Sequence, residues 1–175
     1  MKKKRLDREF FSHPAVEVAP LLLGKYLVRK LAGGEVLVGM INEVEAYVGE
    51  EDLGSHAAGG RRTKRTEVMY GAPGHAYVYF TYGMHWLINV VCSKVDDPQA
   101  VLIRGLDSVT GPARLTKAFS IDGKFHGEDL IKSKELWLED RGVKANPKDI
   151  RTTPRIGIPY AGKWKDKPLR FLLSS

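Results

Sequence analysis

Two acidic side chains fall where carboxylates are costly. Glu43-Val44-Glu45-Ala46-Tyr47 continues an apolar run, and Tyr77-Val78-Tyr79-Phe80-Thr81-Tyr82-Gly83-Met84 sets tyrosines into another. Taking a carboxylate out of water costs on the order of several kcal/mol unless it is paired or used. A carboxylate so placed can orient and deprotonate water and offset positive charge developing on a sugar when a good leaving group departs. Glu45 can do this, and so in principle can Glu43; aromatic faces beside them suit an extruded nucleic-acid base. Period-two alternation puts Glu43, Glu45 and Tyr47 on one strand face, and from spacing alone the plainer reading is a solvent-exposed face with a satisfied pair of acids. Tyr70, Tyr77, Tyr79, Tyr82 and Trp86 likewise read more simply as the amphipathic wall of a core than as base-stacking rings.

Other chemistries find less support. The five histidines, His13, His56, His75, His85 and His126, show neither His-x-His nor His-x-x-x-His spacing and have one cysteine to help them, so no metal is expected. Taken alone, His56 reads as a polar loop histidine. With Cys92 as the single cysteine, an internal disulfide, a Cys-Cys metal knuckle and an intrachain iron–sulfur cluster are all excluded, which points to an intracellular setting.

The elements that must position these residues follow from periodicity and punctuation. Asp7 to Phe11 and Pro14 to Gly24 read as two short helices, the second closed by glycine. Lys25–Leu31 and Glu35–Ile41 alternate around Ala32-Gly33-Gly34 as a hairpin whose second strand continues towards Glu45. Between Gly49 and Gly74 the chain turns polar, and Gly59-Gly60-Arg61-Arg62-Thr63-Lys64-Arg65 reads as a surface loop suited to phosphates. Strand-like sequence returns at His75–Cys92 and Ala100–Leu106; Lys132–Glu139 precedes a proline-bearing turn and a final strand around Leu169–Leu173. Hairpin-length connections outnumber longer crossovers, so the expected fold is α+β, a mainly antiparallel curved β-sheet with surrounding helices.

At 175 residues, 43% hydrophobic and 28% charged, the chain suffices for one core and one domain spanning 1–175. Residues 1–6 read as a flexible basic N-terminus without an apolar segment behind it, and no stretch approaches the roughly 20 apolar residues of a membrane span. With 28 Lys and Arg against 21 Asp and Glu, the net charge of +7 favours a polyanionic partner, nucleic acid or acidic lipid, without identifying it.

One ordered set of residues narrows this. Glu45-Ala46-Tyr47, His56 after a Glu-Asp pair, Gly59-Gly60-Arg61, Tyr79, Tyr82-Gly83-Met84, Asn89 and Arg104 occur in the order that resembles the alkyladenine, or 3-methyladenine, DNA glycosylase family. The resemblance runs from Phe10-Phe11 and Leu23-Gly24 through Gly111-Pro112 and Ile121 to Arg155-Ile156-Gly157, Ala161-Gly162, Trp164 and Lys167–Phe171, nearly the whole chain. It implies a monofunctional hydrolase in which Glu45 is the general base, holding water against C1′ with help from Arg104 and the carbonyl of Ile156. Tyr47, His56 and Tyr79 would grip the extruded base, and Asn89 would crowd a 2-amino group. Tyr82 would wedge into the duplex, flanked by Met84 and His85, while Arg61, Thr63 and Arg65 would meet phosphates. The implied partner is double-stranded DNA with damaged purines, with no metal, cofactor, membrane or obligate protein partner, and the chain acting as a monomer.

One departure matters: relatives usually carry a longer, often basic segment where only Gly105-Leu106-Asp107-Ser108-Val109-Thr110 precede Gly111-Pro112 here. Two other classes stay open on the residues alone, a catalytically idle nucleic-acid-binding module and an RNA- or nucleotide-modifying domain of formyltransferase-like fold.

Overall fold

The computed structural model describes residues 3–174. In chain order the elements are β1 (Lys4–Arg5), α1 (Arg8–Phe11), α2 (Ala15–Leu22), β2 (Tyr26–Lys30), β3 (Val36–Val48), β4 (Ala76–Thr81), β5 (His85–Cys92), β6 (Gln99–Leu106), β7 (Val109–Thr110), α3 (Pro112–Ala118), β8 (Leu136–Asp140), β9 (Ile150–Thr153) and β10 (Arg170–Leu173), with short 3₁₀ turns between them. The strands form one open sheet in the order β1-β8-β2-β3-β6-β5-β4, with β7 on β6 and β10 pairing both β3 and β9. All the named pairings are antiparallel, so the α+β architecture follows the hairpin-rich sequence.

The spine of the sheet is β3, 13 residues long. Its first half pairs with β2 through the glycine hairpin; its second half takes β10 on that edge and β6 on the other. Against β6 the register shifts around Ile41, Glu43 and Val44. An extra residue in one strand reverses which side later residues face. Ile41 lies in the main core before the bulge, whereas Val44 and Ala46 lie in it afterwards. The bulge therefore turns Glu43, Glu45 and Tyr47 away from the main core while keeping them on one face. Gly105 stands opposite Glu43, and a Cβ there would come within 2.8 Å of the Asn42 side chain and 3.2 Å of the Glu43 Cβ.

One face of the sheet is covered by α2, whose Ala15, Val18, Ala19 and Leu22 are buried at the i, i+3, i+4, i+7 spacing of an amphipathic helix. Gly24, with φ +82°, ends that helix as the sequence predicts. The α3 helix was not expected: Gly111-Pro112 reads as a turn, yet Pro112 sits in its first turn, where a missing N–H costs nothing. It packs on β5 and β6, with Thr116 Oγ1 donating to the Trp86 carbonyl at 2.7 Å.

Two expectations need correction. The basic N-terminus is not frayed throughout: Lys4 and Arg5 pair with Asp140 and Glu139 of β8, and Arg5 donates to the carbonyls of Ile131 and Ser133. Lys3 and Leu6 are also described, whereas Met1 and Lys2 lie outside the described residues. The segment from Gly49 to Gly74 is more than a surface loop, because Asp52, Ala57, Thr66, Met69 and Tyr70 are buried. Ala57, Met69 and Tyr70 join Tyr77, Val91 and Ala100 in a second apolar cluster, and Ile158, Ala161 and Trp164 form a third beneath residues 154–167. Two polar segments thereby gain apolar anchors that fix them against the sheet.

Gly39 tests the packing of the spine. A Cβ there would meet Leu106 Cδ1 at 2.6 Å, Leu106 Cβ at 3.1 Å and Phe119 Cζ at 3.1 Å. Gly39→Ala is expected to lower stability by about 1–3 kcal/mol, the usual cost of overpacking, measured by urea unfolding. An unchanged midpoint would show that Gly39 does not pack this closely on Leu106 and Phe119.

Candidate active site

Beside the second half of β3 lies a cavity of about 410 Å³, roofed by the two anchored loops. Tyr47 of β3, His56 of the 49–74 segment, Tyr77 and Tyr79 of β4, Asn89 of β5, Arg104 of β6 and Ile156 of the 154–161 loop all line it. Residues far apart in sequence thus converge on a space large enough for one purine.

Glu45 lies directly behind this lining, held by three of its residues, Tyr47, Arg104 and Ile156. Its side chain is wholly buried, so the solvent-exposed strand face favoured by spacing alone is overturned. The Tyr47 hydroxyl donates to Glu45 Oε2 at 2.9 Å, the Ile156 amide donates to Oε1 at 2.8 Å, and Arg104 Nη1 stands 3.5 Å from Oε1. Burial raises the Glu45 pKa above the usual glutamate value, opposed by Arg104, the Ile156 amide, the Tyr47 hydroxyl and Arg155 in that order. The outcome is a carboxylate held in an ion pair yet more basic than a free glutamate. Ile156 meets Glu45 through its N–H; the expected role was for its carbonyl.

Glu43 is the other member of the acidic pair, and it too is buried. Its Oε1 accepts from Arg104 Nε at 3.1 Å and from Arg170 Nε at 2.7 Å. The plainer reading of two satisfied acids holds for Glu43 in its hydrogen bonding but not in its exposure.

The aromatic walls are held by polar ties. Burial, and then the neighbouring Glu45, push the Tyr47 hydroxyl well above its ordinary pKa, so it remains a donor. Arg155 lies 4.7 Å over the Tyr47 ring centroid. That arginine is fully buried and pairs with buried Asp52, its Nη2 donating to Oδ1 at 2.7 Å, while its Nη1 also donates to the Ala46 carbonyl at 3.0 Å. Asp52 accepts further from the Val48 and Gly54 amides. Removing one partner of such a buried pair leaves an uncompensated charge and costs about 3–5 kcal/mol.

Far from being a solvated loop residue, His56 is half-buried. Its Nδ1 lies 2.9 Å from the Tyr77 hydroxyl, and its ring meets Tyr79 edge-on at 4.5 Å. Burial, with Arg65 and Arg61 nearby, lowers its pKa to about 4, so the ring is neutral at physiological pH. Burial also raises Tyr77 to about 12. Asn89 Nδ2 donates to the Tyr77 carbonyl at 3.1 Å across the β4–β5 ladder. The core reading holds for Tyr70 and Tyr77, and for Trp86 at the edge of the main core; Tyr77 and Tyr79 also line the cavity, and Tyr82 stands in solvent.

At the mouth, the β4–β5 turn carries Tyr82 and Gly83 in the left-handed region, φ +52° and +65°, closed by the Met84 amide donating to Thr81 O. Tyr82 is 81% exposed and Met84 66%, and His85 is exposed beside them. Arg61, Thr63 and Arg65 are exposed on the neighbouring loop. Arg62 differs from its basic neighbours, being spent on Glu67 and Asp96 and stacked 4.7 Å over Tyr70. The Thr63 hydroxyl is engaged within the loop, accepting from the Thr66 amide at 3.2 Å.

Sequence reasoning missed Asp52, Arg155, Arg170 and the cavity-rim residue Tyr160, which is 66% exposed. The resemblance runs through Asp52, Arg155 and Arg170 without giving them a role; their partners come from distant parts of the chain. Among the described residues no group of three or more His, Cys, Asp or Glu side chains is placed to hold a metal, and no helix is long and apolar enough to cross a membrane.

With this geometry in place, comparison with known proteins is specific. The methylpurine-DNA glycosylase family profile matches residues 9–111 and 106–175, two stretches that overlap at the β6–β7 hairpin. A Natranaerobius thermophilus protein named provisionally as a 3-methyladenine DNA glycosylase is 40% identical over 97% of this chain and 95% of its own length. A Legionella pneumophila protein of the same provisional name is 44% identical over 97% of the chain and 94% of its own. The mouse DNA-3-methyladenine glycosylase is 38% identical over 95% of this chain and 58% of the mouse protein. A family match over nearly the whole chain, joined to a purine-sized cavity backed by a buried glutamate, leads to one conclusion: the chain belongs to the methylpurine-DNA glycosylase family.

Proposed function

We propose that the protein cuts the N-glycosidic bond of alkylated purines in duplex DNA, 3-methyladenine and 7-methylguanine, by taking the nucleotide out of the helix and attacking its C1′ with water. As a member of its family it is a monofunctional DNA glycosylase, a hydrolase of base-excision repair; substrate range and the flipping step are the further reading. The observation that carries it is a basic, buried Glu45 beneath a cavity walled by Tyr47, His56 and Tyr79.

Chemically, an N-alkylated purine is cationic and leaves easily, so the protein need supply a grip and a base. Electron-rich tyrosine faces attract the cation, and a neutral His56 faces it without repulsion. Ionised Glu45 deprotonates a water at the cavity floor, bounded by Tyr47, Arg104 and Ile156, while its charge offsets the positive charge growing on the sugar. Arg104 would hold that water, with the Ile156 carbonyl as a further acceptor. Asn89 would crowd the 2-amino group of normal guanine. Hypoxanthine, a neutral base, needs leaving-group assistance that the cationic lesions do not, and is the poorer substrate in this reading.

Outside the cavity, Tyr82 fills the gap left by the nucleotide, with Met84 and His85 beside it, offsetting part of an unstacking cost of about a few kcal/mol. Arg61, Thr63 and Arg65 meet the phosphates without reading sequence. The protein works as a monomer without metal or cofactor. A binding module without chemistry would have no use for a buried, raised-pKa glutamate.

Two outcomes test this. In single-turnover excision from duplex bearing 7-methylguanine, Glu45→Gln is expected to lose about 10²–10⁴-fold in rate while remaining folded. The wild-type rate should rise with pH through the raised Glu45 pKa, an acidic limb above the ordinary glutamate value, because the base must be ionised. Undiminished excision by the folded variant would remove Glu45 as the base. Separately, log affinity for duplex is expected to fall with log salt by roughly 0.9 per phosphate contact, and Arg65→Ala should reduce that slope by about one contact; an identical slope would take Arg65 off the phosphates.

A further inference from the structure

We propose that Glu43 is a positioning residue for the hydrolysis described above: braced by Arg170, it holds Arg104 so that this arginine is shared between the two buried glutamates. This inference rests on Glu45 acting as the base. The charges run in a chain from Arg170 Nε to Glu43 Oε1 at 2.7 Å, from the same oxygen to Arg104 Nε at 3.1 Å, and from Arg104 Nη1 to Glu45 Oε1 at 3.5 Å. All four side chains are largely withdrawn from water, at 19%, 10%, 13% and 0% exposure, so their interactions are weakly screened.

The backbone builds this chain. Glu43 lies at the bulge opposite Gly105, next to Arg104; Arg170 pairs with Glu45 across the β3–β10 ladder and is further fixed by Thr153 Oγ1, which accepts from its Nη1 at 3.2 Å. Both guanidiniums reach Glu43 through Nε, which leaves Arg104 Nη1 for Glu45 and keeps the rest of the group on the cavity wall. Without Glu43, Arg104 would be free to collapse fully onto Glu45, quenching the base. Without Arg170, Glu43 would pull Arg104 away.

Other groups facing Glu45 are Tyr47 on its own strand, Tyr79 on β4, and Arg155 with the Ile156 amide from the 154–161 loop. None of them touches Glu43 among the described hydrogen bonds and ion pairs, so charge changes at Glu43 and Arg170 isolate this chain.

The test is the ionisation of Glu45 itself, followed by ¹³C carboxyl NMR of the intact protein, with the resonance identified by its loss in Glu45→Gln. Neutralising Glu43 in the isosteric Glu43→Gln is expected to lower the titration midpoint of Glu45 by about half a pH unit or more, and Arg170→Gln to raise it by a similar amount. In single-turnover excision the acidic limb should move in the same two directions, while lesion-duplex affinity stays within about twofold of wild type. Thermal melts report folding for each variant separately, and a role confined to stability would move the melts alone. Midpoints that do not move, or that move in the same direction in two folded variants, would overturn the proposal. If wild-type protein excises no alkylated purine, the functional reading fails on its own, and the NMR midpoints still decide whether the four side chains form an electrostatic relay.

Discussion

Everything in the site depends on keeping one carboxylate out of water without leaving it alone. Glu45 is wholly buried and is reached by a hydroxyl two residues away, a guanidinium on the adjacent strand and a backbone amide 111 positions later. Too little compensation would protonate it at neutral pH, and too much would make it a poor base. The observed balance leaves the pKa raised, because burial outweighs the opposing partners. Much of the architecture is the apparatus for setting this balance.

That apparatus is mostly β3 and what pairs with it. A strand of this length continuing in one phase would carry the face of Ile41 on to Glu43 and Glu45, pointing acids into an aliphatic core. The bulge opposite Gly105 reverses the phase, so that Val44 and Ala46 go to the core and the acids go to the arginines. A second constraint comes from the Asp52–Arg155 pair, which joins the polar loop to the 154–161 loop under the Tyr47 ring. Two buried charges are a costly way to fix a loop, but they place the Ile156 amide and the Tyr47 ring together, which an apolar contact could not orient as sharply.

Sequence made the architecture and the cavity residues legible to different degrees, for physical reasons. Alternation around the glycine hairpin revealed β2 and β3, since pairs joined by short turns are encoded locally; β-rich sequence marked β6 and the stretch that holds β4 and β5, but not the turn that divides those two. The two-residue β1 and the edge strand β9 escaped notice, because segments of that length pair only where distant chain happens to offer an edge. Period two correctly placed Glu43, Glu45 and Tyr47 on one face but could not say what covers it; Arg170 and Ile156 come from the far end of the chain. Tyr47, His56, Tyr79, Asn89 and Arg104 were recognised through an ordered resemblance, and they converge on one cavity. Asp52 and Arg155 stand within the ordered resemblance, but their partnership exists only in three dimensions. Pro112 after Gly111 is a helix start that the two residues alone do not distinguish from a turn.

The loop carrying Arg61 and Arg65 is already braced before it meets any ligand. Thr63 and Thr66 exchange hydrogen bonds across its bend, and Arg62 clamps Glu67 and Asp96 instead of reaching outward. The backbone of such a segment has little disorder left to surrender, so in the proposed reading phosphate binding there would order mainly the exposed side chains of Arg61 and Arg65. On that reading, one arginine given over to rigidity leaves Arg61 and Arg65 exposed on a preset backbone from which to meet phosphates.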